Sequence, residues 1–584
     1  MGDFINKKDY TNWTREDFIT EIEKLRKRKK YGLIWENKKE EEVESCKKKL
    51  PVLAEDKNKE IMNNQSNGVN VLIEGDNYHS LSVLNYTHYG KIDVIYIDPP
   101  YNTGNNDFKY NDRWVEREDG YKHSKWISFM EKRLKLARNL LTKNGIMFIS
   151  IDDHEQAQLK LLCDEIFGEE NFIVNLIWRK KRGGGRGNSL VIPQTEYILV
   201  YARNLGKLNP FTNELSEYKI EKFKYKDAWG EYAREGLDHH SPKGAYERRT
   251  LQYNLEIDGK SIYCPTGQWL WSKERVNNEL KNYKINKDGQ KEYKYLDIVQ
   301  DKNKRWRAFK KMRLDDGEGK REETILSFID DPKITNNSSA FEIKNILGSA
   351  EFHYAKPSSL IKYLLKISNR KDGIILDFFA GSGTTGQAVL ELNKEDKGKR
   401  RFILCTNNEV DDETGKNLIR KGIKKGSPEY EKEGICQRVC YHRIGKVMNG
   451  YIRNSEKIEG LGGNLKYFRT DFVNAEPTDK NKVKLTRKAT EILCLREETY
   501  EKVMEKEAFK IYRSNDKYTG IIFDNKAIEE FKEEVKKLNG RFSVYVFSLG
   551  GDTFDDEFED LRRKVKIIPI PESILNTYKK IFGG

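Results

Sequence analysis

No apolar run in these 584 residues comes near the ~18 needed to cross a bilayer. Met1 to Arg28 alternates charges and holds no apolar signal core. No membrane contact is therefore expected. The seven cysteines are scattered and odd in number. The closest pair, Cys436 and Cys440, has no second pair or histidine cluster to complete a zinc site. Reduced thiols, no metal and a cytoplasmic location are the expectation. No internal repeat, no Gly-Lys-Ser/Thr phosphate loop and no helicase or nuclease motif is found, so any DNA cleavage would need a partner chain.

What is present points to several domains, because a single core stops growing at about 250–300 residues. Hydrophobic residues make up 37% and charged residues 34%, enough for real cores and too apolar for wholesale disorder. Lys and Arg number 107 against 93 Asp and Glu, a net of +14. That excess suits a polyanionic partner, nucleic acid before an anionic membrane, with a solvated lysine-rich surface as the bland alternative.

The pattern along the chain predicts α/β architecture of doubly wound character. Helices are expected over Arg15–Arg28 and Glu36–Lys49, then a polar linker over Asn63–Gly68. Strands are expected at Val69–Glu74, Ile92–Ile97 and Ile146–Ile151, and helices at Trp126–Leu141 and Glu155–Phe167. From Trp178 the alternation stops. Residues 178–330 hold 32 basic and 23 acidic side chains, +9 of the total, interleaved with Tyr225, Trp229, Tyr246, Trp269, Trp271, Tyr293, Tyr295 and Trp306. Strand–helix order returns near Ser358 and runs through Ile374–Asp377 and Phe402–Cys405. The expected domains are 1–62, a helical extension; 63–205 and 336–450, two parts of one core; 206–335, an insert; and 451–584, a C-terminal α/β module.

Two motifs carry the chemistry. Asp98-Pro99-Pro100-Tyr101 follows an apolar strand, at the end where α/β folds place ligands. There a Pro-Pro turn projects a carboxylate, a free carbonyl and an aromatic ring into one cleft; alone, the tetrapeptide also fits a plain strand-ending turn. Asp377-Phe378-Phe379-Ala380-Gly381-Ser382-Gly383-Thr384-Thr385-Gly386 also follows an apolar strand and precedes a helix. Its glycines allow close backbone approach to a ligand, and the helix start offers unpaired N–H groups. Alone, this loop fits a dinucleotide, a nucleoside or a tight turn; the preceding acid and the phenylalanines favour a cationic adenosine-bearing ligand.

Together the motifs resemble the amino-methyltransferases of DNA, in the permuted beta order with the catalytic motif first. Ala355-Lys356-Pro357-Ser358 resembles that family's Lys-Pro segment, and Gly75-Asp76-Asn77, Ile149–Asp153 and Glu196–Tyr201 resemble strand signatures of the modification (Mod) subunits of Type III restriction–modification systems. The resemblance covers about 70–205 and 340–445. It implies a Rossmann-like class I S-adenosylmethionine-dependent methyltransferase sheet, circularly permuted, with an inserted target-recognition domain. The implied activity is transfer of a methyl group from S-adenosyl-L-methionine to the exocyclic amine of adenine in duplex DNA, Asp rather than Ser at the first motif position going with adenine. The alternatives are a solitary or Type II enzyme of the same chemistry, then an RNA or protein methyltransferase, then a non-catalytic DNA-binding protein.

In that reading the Asp98 carboxylate and the Pro99 carbonyl accept the two amine hydrogens, releasing the nitrogen lone pair and bearing the developing charge. Pro100 stiffens the turn, and Tyr101 stacks on the extruded base at ~1–3 kcal/mol. Gly381 and Gly383, with Phe379 and Thr384 of the same loop, line the methionine portion of the cofactor. Asp377 pairs with its ammonium group, and Lys356-Pro357 closes over that end. Glu409 and Asn407 compete for the ribose hydroxyls. Arg179, Lys180, Lys181, Arg182 and Arg186 form one candidate DNA-binding cluster; Lys304, Arg305 and Arg307, within Lys302–Lys311, form a second. The resemblance further implies a homodimer and a restriction (Res) helicase–nuclease partner, served by the last segment through Phe554, Phe558, Leu561 and Ile574.

Overall fold

The computed structural model describes residues 13–26, 33–63, 68–105, 107–183, 190–214, 220–238, 248–317, 319, 321–348, 355–550 and 552–582. The chain forms two compact units, one built from residues up to 209 together with 326 onward, the other from 210–325.

The first unit is organised on an 11-stranded sheet. Its strands are β1 (Lys49–Glu55), β2 (Ile61–Met62), β3 (Val69–Glu74), β4 (Ile92–Ile97), β5 (Leu141–Ile151), β6 (Phe172–Arg179), β7 (Thr195–Ala202), β8 (Phe328–Ile329), β9 (Asp372–Asp377), β10 (Lys399–Thr406) and β11 (Asn464–Asn474). They lie in the order β1-β11-β3-β10-β9-β4-β5-β7-β6-β8, with β2 paired to β11. From β3 to β5 all neighbours are parallel, and β7 alone runs against both β5 and β6. The central strands are mostly apolar, with runs such as Val94–Ile97, Ile374–Leu376 and Phe402–Cys405 all buried, as expected of a parallel sheet. The helix Lys122–Leu140 presents one apolar face: Trp126, Met130, Leu134 and Ala137 recur at helical spacing and are all fully buried. Each large apolar side chain so buried contributes about 1.5–3 kcal/mol.

The strand order brings two distant segments together. β4 and β9 are immediate neighbours, Val94 beside Ile375 and Ile95 beside Leu376, although 281 positions separate each pair in sequence. From β4 the chain crosses to β5 on one side; from β9 it crosses to β10 on the other. The carboxyl ends of β4 and β9 therefore flank the switch point, where such sheets leave a crevice.

A second sheet of five strands, β12 (Glu501–Glu505), β13 (Phe509–Ser514), β14 (Lys517–Ile522), β15 (Arg541–Phe547) and β16 (Val565–Ile570), follows in the same unit. It is not a detached module. Tyr545, Ile570, Ile574 and Tyr578 join the core of the main sheet, and the Tyr578 hydroxyl donates to the Pro51 carbonyl.

Several expectations need correction. Only Glu41–Ser45 of the Glu36–Lys49 helix is helical; beyond it the apolar run Leu50–Leu53 is taken into β1, with Pro51 tolerated on an edge strand. An edge at 450/451 cuts the sheet, since β11 lies between β1 and β3. Phe558 and Ile574 are buried in the chain's own cores, so neither is available to a partner.

The second unit, 210–325, carries a six-stranded sheet centred on the strand Trp306–Arg313. Trp269, Trp271 and Tyr293 are in its core, so these aromatics fold the unit. Lys311 and Arg313 are buried as well, both paired with Asp227 at 2.6 Å. The expected boundaries 206 and 335 fall four and ten residues outside this unit.

Candidate active site

β4 ends at Ile97, and the Pro-Pro turn that follows releases the chain from the ladder. Trp126, wholly buried, donates its indole N–H to the Pro100 carbonyl at 2.7 Å and so fixes the turn. Among the described residues no donor reaches the Pro99 carbonyl, which leaves it available as an acceptor. Asn102, buried and at φ +58°, donates to Glu155 at 2.6 Å, which also contacts His123 Nδ1 at 2.7 Å. The turn is thus held by a polar chain that runs from buried Asn102 and Glu155 to the partly exposed His123.

The Asp98 carboxylate is occupied. Lys356 Nζ donates to both oxygens, at 2.8 and 2.9 Å, and the Tyr101 hydroxyl donates to Oδ1 at 2.9 Å. Glu196, at the start of β7 and nearly buried, accepts from the Tyr101 hydroxyl at 3.2 Å and sits 3.5 Å from Lys356 Nζ. Its other oxygen accepts from Lys180 at 2.9 Å. Burial raises the Asp98 carboxyl above its ordinary range, and Lys356 pulls against that. Burial would raise Glu196 too, but Lys356 and Lys180 hold it below the usual value.

Across the crevice, the loop after β9 is shaped from inside. Asp377 accepts from the Phe379 N–H at 3.0 Å and the Thr385 hydroxyl at 2.5 Å, and burial pushes its carboxyl up to about 7. Each oxygen accepts one bond from the loop itself, so Asp377 positions the loop. Gly383 caps the helix Thr384–Asp396 at φ +78°, and a side-chain carbon there would lie 3.0 Å from Cys440 Sγ. Arg443, fully buried, donates to Gln387 at 2.7 Å, Thr384 Oγ1 at 2.8 Å and Ser382 Oγ at 3.0 Å. Gly381 is also in the left-handed region, at φ +48°. Phe379 packs on Phe129, ring centres 5.9 Å apart.

At the end of β10 a cavity of 590 Å³ opens, lined by Asn407, Glu409, Phe129, Lys109, Tyr110 and Asp412 among others. Lys109 pairs with Glu409, while Asn407 is exposed. An acid and an amide at a strand end beside a glycine loop provide acceptors for sugar hydroxyls, and the volume lies within the ~300–1,000 Å³ of small-molecule sites. The residues fit an adenosine-bearing ligand.

Of the candidate residues, Asp98 to Tyr101 and Lys356 converge in one network, and the glycine loop lies at the end of the adjacent strand. Lys356 bonds to the Asp98 carboxylate, and Pro357 caps the helix Ser358–Ile367. Lys180 belongs to the same network and is not free for phosphate. Arg179 and Arg182 pair with Asp330, Lys181 is exposed, and Arg186 lies outside the described residues. Lys304 and Arg305 border a separate 760 Å³ hollow of the second unit, and Arg307 pairs with Asp238 at 3.3 Å. The sequence reading missed the roles of Trp126, Glu196 and Arg443. Glu196 was visible only as part of a strand, and no local pattern marks the other two.

A doubly wound α/β sheet with Asp98-Pro99-Pro100-Tyr101 and a glycine loop at its switch point is what this geometry defines. The family model for DNA methylase matches residues 92–412; the chain belongs to that family. It is 33% identical over 443 residues to the Type III restriction-modification enzyme EcoPI Mod subunit of Escherichia phage P1, covering 68% of this chain and 66% of that one. It is 33% identical over 405 residues to the StyLTI Mod subunit of Salmonella typhimurium, covering 64% and 57%. It is 32% identical over 359 residues to the Type II methyltransferase M.KpnI of Klebsiella pneumoniae, covering 57% and 79%. The matches thus span under two thirds of the length of the two Mod subunits.

Proposed function

We propose that the chain is a site-specific DNA adenine methyltransferase, the Mod subunit of a Type III restriction–modification system, using S-adenosyl-L-methionine. The observation that carries this is the adjacency of β4 and β9, which brings Asp98 and the glycine loop to one crevice. When bound, S-adenosyl-L-methionine supplies a sulfonium methyl group open to in-line attack by an amine. The glycine-loop backbone would hold its amino-acid portion, and Asn407 and Glu409 its ribose. Asp98 and the Pro99 carbonyl accept the two hydrogens of the adenine amine, which frees the nitrogen lone pair and bears the charge that develops. Tyr101, its hydroxyl fixed by Asp98 and Glu196, presents a ring on which an extruded base stacks.

The 210–325 unit is the proposed target-recognition domain. Supporting this, Arg305 lies over the Tyr263 ring at 4.1 Å and Lys260 over Trp306 at 4.0 Å around one hollow, a pairing of cations with aromatic faces suited to nucleic acid. Double-stranded DNA in the cytoplasm is the substrate; a Res helicase–nuclease subunit and a second copy of the chain are the partners this reading expects. The similarity to M.KpnI supports a second reading, a Type II enzyme of the same chemistry. Single-molecule sequencing of host DNA with and without the gene separates them: one adenine motif modified on one strand supports the Type III reading, and a palindromic motif supports Type II. Absence of gene-dependent adenine modification contradicts both.

A further inference from the structure

With Lys356 bonded to both oxygens and Tyr101 to Oδ1, Asp98 has little acceptor capacity left for the adenine amine. The ammonium contacts both carboxylate oxygens, and a positive charge developing on the amine nitrogen would face it within a few ångströms. In a site this buried, such a repulsion works directly against the electrostatic stabilisation that the aspartate supplies. The ammonium needs another anion close by, and the structure provides one. Glu196 Oε2 is 3.5 Å from Lys356 Nζ, against 2.8 Å for Asp98 Oδ1, so a small swing of one lysine terminus transfers the ion pair. Lys180, on the far oxygen of Glu196, balances the charge: two carboxylates meet two ammonium groups whichever way Lys356 leans.

Resting on the methyltransferase reading above, we propose that Glu196 is a positioning residue that takes Lys356 from Asp98 when the target amine enters, and that holds the Tyr101 ring in place through the same oxygen. Tyr101 is the mechanical link. Its hydroxyl bridges Asp98 Oδ1 and Glu196 Oε2 at 2.9 and 3.2 Å, so the aromatic face offered to the base is set by both carboxylates at once. Lys356 is then neither a cofactor clamp nor a solvated lysine. In the free protein it keeps Asp98 ionised inside a buried site, and during the reaction it stands aside.

The test uses the full-length chain, PCR-amplified and therefore unmethylated bacterial DNA, and S-adenosylmethionine labelled in the methyl group. Glu196→Gln keeps the shape of the side chain but removes the charge that attracts Lys356. Its kcat should fall about 10- to 100-fold, while its affinities for cofactor and DNA stay within about twofold of wild type. Glu196→Asp, which restores the charge, should recover part of that loss. An active wild type with Glu196→Gln at the same kcat overturns the proposal alone. So does a Glu196→Gln whose cofactor affinity falls with kcat and which Glu196→Asp does not improve, since that is a merely structural role. A wild-type chain that transfers no methyl group to this DNA overturns the functional reading and this one with it.

Discussion

At the scale of single residues, the proposed chemistry rests on a partly buried carboxylate, Asp98, that must be ionised to work. Asp98→Asn keeps the shape and removes the charge; methyl transfer should drop by at least about 10²-fold while cofactor affinity, measured by calorimetry, stays near wild type, because the glycine loop is untouched. The pH profile follows from the same burial. Asp98 protonates more readily than an ordinary carboxyl, so kcat should fall on acidification at pH values above the usual carboxylate range and level off as pH rises. Asp377 has a different signature. Its folded value, about 7, lies above the unfolded value of 3.8, so its stabilising contribution is complete below about pH 4 and is lost as pH rises through 7. Urea unfolding at pH 5 and pH 8 should therefore show a larger stability loss for wild type than for Asp377→Asn. An equal loss in the two proteins would place the Asp377 carboxyl in a more solvated setting than the structure gives it.

At the scale of elements, the strands and helices that frame the site follow their sequence patterns closely. Ile92–Ile97 is a strand over the residues its apolar run marks out, and the helix expected after the glycine loop is Thr384–Asp396. Asp98 and the glycine loop were legible because each follows an apolar strand with turn residues of restricted geometry. The supports were not. Trp126 reads as one more apolar position on an amphipathic helix, and only the fold brings its indole to Pro100. Arg443 reads as an ordinary charge, yet it is fully buried against Gln387, Ser382 and Thr384. β11 escaped because its pairing with β3 spans about 390 residues, and no local pattern encodes a partner that far away. Two predictions belong here. Gly383→Ala forces a left-handed backbone onto a side chain that also meets Cys440, and should lower stability by about 1–3 kcal/mol in thermal unfolding. Arg443→Met leaves the loop hydroxyls and Gln387 without their buried donor, and should weaken cofactor binding more than DNA binding. Equal weakening of the two would argue against a role confined to the loop.

At the scale of the whole molecule, the charge excess and the two-unit organisation bear on DNA. If Lys304, Arg305 and Arg307 contact phosphates, replacing all three with alanine should weaken binding and flatten its salt dependence, by up to about 0.9 in log–log slope per lost contact; an unchanged slope removes them from the interface. The C-terminal sheet shares its core with the methyltransferase sheet through Tyr545, Ile570 and Tyr578, so deletion from 500 onward should yield insoluble or unfolded chain. A folded monomer would mark the sheet as an independent module. All of these rest on β4 and β9 standing side by side, and product analysis tests that most directly. Duplex DNA incubated with S-adenosylmethionine and either wild type or Asp98→Asn is digested to nucleosides and examined by mass spectrometry. N6-methyladenine from wild type and almost none from the variant is the expected result; no methylated adenine from wild type, or equal amounts from both, would contradict the account.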